Sequence, residues 1–103
     1  MEERDWKLKL RYGQLTTPYR HYTLMADGVI DRKIEDYDNM PGPAFMGIKI
    51  WAATEEDATG ILIDVGGHLG FNVTGRIEIY ETDPKEPPQD SPSCYQVSFH
   101  SYE

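Results

Sequence analysis

The three histidines, His21, His68 and His100, fall on different predicted elements, and Cys94 is the single cysteine. Asp64 and His68 stand at i and i+4, close enough on a helix to hydrogen-bond. An acid-paired histidine is a general base when a nucleophile or substrate site lies beside it. No Gly-x-Ser-x-Gly, His-Glu-x-x-His or P-loop pattern occurs in the chain. The pair therefore reads as a surface contact, and no catalytic residue is assigned. Cys94 precedes Tyr95 with no adjacent histidine, which suits a structural thiol better than a nucleophile. A lone cysteine also rules out an internal disulfide and a cysteine zinc cluster, and it fits a reducing compartment.

Two further stretches suggest ligands. Glu35, Asp36, Asp38 and Asn39 open a turn-rich loop that runs to Pro43. They lack the alternating ligands, central glycine and terminal Glu of a calcium loop, so the segment reads as a solvated loop and no metal is assigned. Ile61 to Gly67, ILIDVGG, has the look of a strand entering the glycine turn of a nucleotide- or S-adenosylmethionine-binding sheet. It follows a helix cap, however, and 103 residues are too few for a doubly wound domain. No cofactor is assigned, and Gly66 and Gly67 are read as letting a helix pack closely on a sheet.

That helix is the best-signalled element. Thr54-Glu55-Glu56-Asp57 fits a capping box, and its acids sit at the positive end of the helix dipole. Ala58, Ile61, Leu62, Val65 and Leu69 recur at helical spacing, and Gly70 is a natural left-handed stop before Phe71. The spacing predicts a helix over about 54–69, about four turns long.

The remaining apolar positions alternate and predict strands. Trp6, Leu8, Leu10 and Tyr12 alternate with Lys7, Lys9 and Arg11. Tyr19 to Ala26 would turn at Asp27-Gly28 and return along Val29 to Ile34 as a hairpin. Further strands are predicted at Phe45–Ala53, Val73–Thr82 and Tyr95–Tyr102, with a mobile proline-rich loop from Asp83 to Pro92. The whole, residues 1–103, is predicted to be a single α+β domain. It would be a two-layer sandwich, a mostly antiparallel sheet of five to six strands with one central helix on one face. The strands flanking that helix would be joined by a right-handed crossover if parallel.

One helix covers one sheet face, and parity assigns Lys7, Lys9, Arg11, Lys49, Trp51, Arg76, Tyr80, His100 and Tyr102 to the other. This cationic, aromatic face stands on a chain of net charge −8. Six of its residues form the candidate binding site: Trp51, Tyr80, His100, Tyr102, Lys49 and Arg76. The net charge argues against nucleic acid and anionic membrane as partners. No apolar run approaches a membrane span, and the opening Met1-Glu-Glu-Arg-Asp lacks a signal-peptide pattern, so the expected compartment is the cytoplasm. The leading expectation is a small, acidic, non-enzymatic protein-interaction module. It would act through the open face or the acidic loops, on a protein partner or on itself as a homodimer with Trp51 and Tyr80 as anchors. Neutralisation of a basic partner, in the manner of an immunity protein or antitoxin, is one form of this. The alternative is a small-molecule-binding protein or small enzyme, with a pocket between helix and hairpin lined by His21, Tyr22 and Asp64.

Overall fold

A computed structural model describes residues 3–32 and 40–101. The element order is α1 (Glu3–Arg11), β1 (Arg20–Ile30), β2 (Gly42–Ala52), α2 (Glu55–Leu69), β3 (Phe71–Glu81) and β4 (Ser93–Ser101). The strands form one sheet in the order β3-β1-β2-β4, every neighbouring pair antiparallel. Both β2 and β3 run opposite to β1 and are therefore parallel to each other. The fold is α+β, with α2 laid on one sheet face. Among the described residues it has four strands where five to six were expected, and two helices where one was expected.

The helix expected over 54–69 is α2. Thr54 Oγ1 accepts from the Asp57 backbone N–H at 3.1 Å. Gly70 closes the helix in the left-handed region at φ 100°, its N–H directed at the carbonyls of Gly66 and Gly67. Arg32 Nη2 donates to the His68 carbonyl at 2.9 Å, placing a cation on the negative end of the dipole. Ala58 and Leu62 are fully buried, while Ile61, Val65 and Leu69 pack partly buried on the same core. Of the two glycines read as packing contacts, only Gly66 is one. A Cβ there would meet Met46 Sδ at 3.2 Å and Phe71 Cδ2 at 3.3 Å, whereas Gly67 faces open space.

The core on this face is filled by alternate strand residues: Tyr22, Leu24, Ala26 and Ile30 from β1, and Met46, Ile48, Ile50 and Ala52 from β2. Phe71 and Phe99 close it from the two edge strands, their ring centroids 5.6 Å apart.

Three local expectations are corrected. The segment Trp6–Arg11 is helical, not a strand, and Tyr12 lies in the turn that follows. It contains no β-branched residue and is rich in Leu, Lys and Arg, which are good helix formers, with Lys9 and Arg11 suited to the last turn. Trp6 and Leu10, at i and i+4, are buried and half-buried, while Leu8 is left exposed. Lys7, Lys9 and Arg11 therefore belong to a helix and not to the sheet face. Gly13, at φ 75°, ends this helix.

Asp27-Gly28 makes no hairpin turn, because β1 runs straight through it. Gly28 is required instead by close approach: a Cβ there would collide with the Asn72 carbonyl oxygen and the Phe71 ring. The pairing with β3 shifts at this point, between Ala26 and Gly28.

Strict alternation from His100, placed on the open face, would turn Tyr95 toward the core beside Val97 and Phe99. The β2–β4 register shifts between Gly47 and Lys49, so that Gly47 pairs with Ser98 but Lys49 pairs with Tyr95. Gln96 takes up the extra residue at φ 51°. One inserted residue reverses the parity of everything before it. Cys94 is thereby turned toward the core and Tyr95 to the opposite face.

Candidate functional site

The face away from α2 is divided into two halves. One half lies under the connection between β3 and β4. His21, on this face by parity, is 3% exposed, and Trp51, its cross-strand partner, is 4% exposed. The ring of Trp51 meets His21 edge-on, with centroids 5.1 Å apart and planes at 71°. Trp51 Nε1 donates to the Glu86 carbonyl at 2.9 Å. Tyr19 donates its hydroxyl to the Asp90 carbonyl at 3.3 Å. The proline-rich segment, expected to be mobile, is thus anchored across the end of the sheet.

Tyr95 ties this connection to His21. Its hydroxyl oxygen accepts from the backbone N–H groups of Lys85 at 2.9 Å and Glu86 at 3.3 Å. With both lone pairs engaged, its proton is directed at His21 Nε2, 2.6 Å away. Nε2 is then an acceptor, so Nδ1 carries the ring proton and donates toward the Thr82 carbonyl at 3.0 Å and Thr82 Oγ1 at 3.1 Å. Thr23 Oγ1 lies 2.8 Å from Thr82 Oγ1 and accepts from Lys49 Nζ at 3.4 Å. Burial holds His21 below its ordinary pKa, and the nearby Lys49 charge acts the same way. The Thr82 carbonyl and Asp83 pull in the opposite direction. A neutral His21 with both nitrogens bonded to protein is a clasp: neither it nor the phenol has a free lone pair or proton to offer a substrate.

The other half of the face is uncovered. Met25 and Tyr80 are 39% and 54% exposed. Phe45 is half-buried and stacks on His100, with centroids 4.8 Å apart. A hollow of about 340 Å³ is lined by Met25, Asp27, Phe45, Arg76 and Glu78, and a second of about 520 Å³ adjoins it across Met25 and Phe45. Arg76 Nη1 lies 3.4 Å from Glu78 Oε1.

Parity had placed Lys49, Trp51, Arg76, Tyr80 and His100 on this side of the sheet, and that is where they lie. The structure separates them into two groups, however. Tyr80, Arg76 and His100 are exposed and Lys49 is half-buried, whereas Trp51 is covered by the chain's own β3–β4 connection. Trp51 is therefore no exposed anchor for a second copy. Tyr102 lies outside the described residues, as do the acidic cluster Glu35–Asn39 and the end of the expected return strand.

The pocket expected between helix and hairpin does not form from His21, Tyr22 and Asp64. Neighbouring strand residues point to opposite faces, so Tyr22 enters the α2-side core, His21 lies under the clasp, and Asp64 is exposed on α2. His68 Nδ1 lies 3.0 Å from the Asp64 backbone carbonyl, so the i,i+4 pair makes a bond within the last turns of the helix. Burial pushes the Cys94 thiol above its ordinary pKa, which suppresses the reactive thiolate. Among the described residues no group of three His, Cys, Asp or Glu side chains could hold a metal, and no helix is long and apolar enough to cross a membrane. Sequence reasoning missed the His21–Tyr95 contact. Its signal, the bulge at Gln96, has no marker in residue type, since a glycine would ordinarily occupy that conformation.

No protein-family model matches the chain, and no curated protein or solved structure is significantly similar to it.

Proposed function

We propose that the chain is a small, acidic, non-enzymatic protein-interaction module that acts through the uncovered half of its sheet face. The observation that carries this reading is exposed Met25 beside the Phe45–His100 stack, with Tyr80 exposed on β3 of the same sheet face, which α2 does not cover. Apolar and aromatic groups held on a rigid sheet lose little entropy on docking, and Tyr is a frequent anchor at interfaces. Arg76 and Lys49 balance Asp27 and Glu78 on this face, so a second copy of charge −8 meets less repulsion here than elsewhere. A homodimer, with Tyr80 as its anchor in place of the covered Trp51, is one form of the proposal. The overall charge supports a basic protein as the heterologous partner, the form that immunity-like neutralisation would take.

A photo-crosslinking residue placed at Tyr80 tests both forms, with the same residue at Ile63, exposed on α2, as the control. Adducts from position 80 and not from 63 are expected in cells that express the chain. A mass of two chains identifies the homodimer, and any other mass a heterologous partner. Equal adducts from both positions, or none from position 80, sink the proposal.

A further inference from the structure

We infer that the larger hollow on the open face, between β1, β2 and β4, is a binding site for an organic carboxylate with a planar apolar body. This goes beyond the interaction reading and does not depend on it. The hollow, about 520 Å³, exists for two local reasons. Gly47 leaves its floor bare in the middle of a central strand, where a Cβ would come within 3.1 Å of Ser98 Oγ. The bulge at Gln96, the one non-glycine residue at positive φ among the described residues, interrupts β4 along its wall. Strained backbone and bulges concentrate where a strand is shaped for a ligand, and at Gln96 the two coincide on the wall of this cavity.

The chemistry of the lining selects the ligand. The chain has 18 acidic residues, yet no carboxylate lines this hollow among the described residues. Its charged group is Lys49, half-buried, whose ammonium makes one long bond of 3.4 Å to Thr23 Oγ1. No described carboxylate pairs with it. An ammonium with one long hydrogen bond and no described carboxylate beside it favours an incoming anion. The hydroxyls of Thr23 and Ser98 add polar partners beside it. Met25 and the stacked pair Phe45–His100 supply an apolar, flat wall for the body of the ligand. A carboxylate on Lys49 with a ring against Phe45 and His100 satisfies both.

The test is an amide chemical-shift titration of the full chain with 2-naphthoate and its neutral counterpart 2-naphthamide. Saturable shifts at Gly47, Lys49 and Ser98 are expected with the acid. The amide should bind about tenfold more weakly or worse, the loss that follows from removing a charge-assisted bond. Lys49→Met should weaken the acid by a similar factor and the amide distinctly less, so that the two bind with closer affinities. Gly47→Ala, which keeps the charge but fills the floor, should weaken both. A peptide ending in a free-carboxylate phenylalanine forms a third arm. Tighter binding of the peptide assigns the site to a protein C-terminus, and tighter binding of naphthoate assigns it to a free acid. Equal affinities for acid and amide, an unaffected Lys49→Met, or shifts confined to other residues overturn the inference. Failure here with crosslinks still formed from position 80 leaves the interaction proposal intact, and the reverse result removes only that proposal.

Discussion

Tyr95→Phe isolates the clasp between the β3–β4 connection and the sheet. The substitution keeps the ring and deletes one oxygen, which donates to His21 Nε2 and accepts from the Lys85 and Glu86 amides. Lys85 and Glu86 are exposed, so their N–H groups regain water at small cost. His21 is 3% exposed, so Nε2 becomes a buried acceptor with nothing to bond. A lost bond together with one unsatisfied buried group costs about 1–3 kcal/mol. For a domain of this length that corresponds to a fall in Tm of about 4–8 °C per kcal/mol. Urea melts of wild type and variant should show the loss with an unchanged slope. A second readout reports the loop itself. In a Trp6→Phe background Trp51 is the remaining tryptophan, and acrylamide should quench it more readily once Glu86 is released. A double-mutant cycle with His21→Phe should return a coupling of about 0.5–3 kcal/mol. A Tyr95→Phe loss under about 0.5 kcal/mol, the range of ordinary surface changes, together with zero coupling, would refute the clasp.

Three further outcomes follow from the same structure. Leu62→Ala, at a fully buried site under α2, should cost about 2–5 kcal/mol, and Ile63→Ala, at a 49% exposed site, distinctly less; equal losses in denaturant melts would contradict the packing of α2. Thr54→Ala removes the acceptor for the Asp57 amide and should lower stability by about 1 kcal/mol, while Thr54→Ser should recover most of the loss in the same melts. Because folded His21 is held below the ordinary value of 6.5, its contribution is intact above that pH and falls below it. There the unfolded chain takes up a proton that the folded chain refuses, and the decline ends at the folded pKa. Stability measured from roughly pH 7 down to 5 should therefore drop more steeply in wild type than in His21→Gln, and parallel curves would show that His21 is not the group responsible.

The contrast between α2 and the clasp shows what was legible in the residues alone. A helix cap, an apolar stripe and a left-handed stop are all local, and Thr54, Leu62 and Gly70 each act within a few residues of their own position. Strand parity is nearly as local, which is why Lys49, Tyr80 and His100 were assigned to the sheet face away from the helix. The period-2 pattern of Trp6–Arg11 misled because two turns of a short helix can carry the same alternation; placement of Trp6 and Leu10 against the rest of the chain decides between them. Asp27-Gly28 misled in the same way. The glycine answers to the backbone and ring of β3, more than 40 residues later, not to a turn at its own site. Tertiary structure alone decided that Gln96 would absorb an extra residue, that Tyr95 would therefore face His21, and that the β3–β4 connection would cover Trp51 while Met25, Phe45 and Tyr80 stayed open. Each depends on register between strands distant in sequence, and a single-residue shift there exchanges buried for exposed along everything that precedes it.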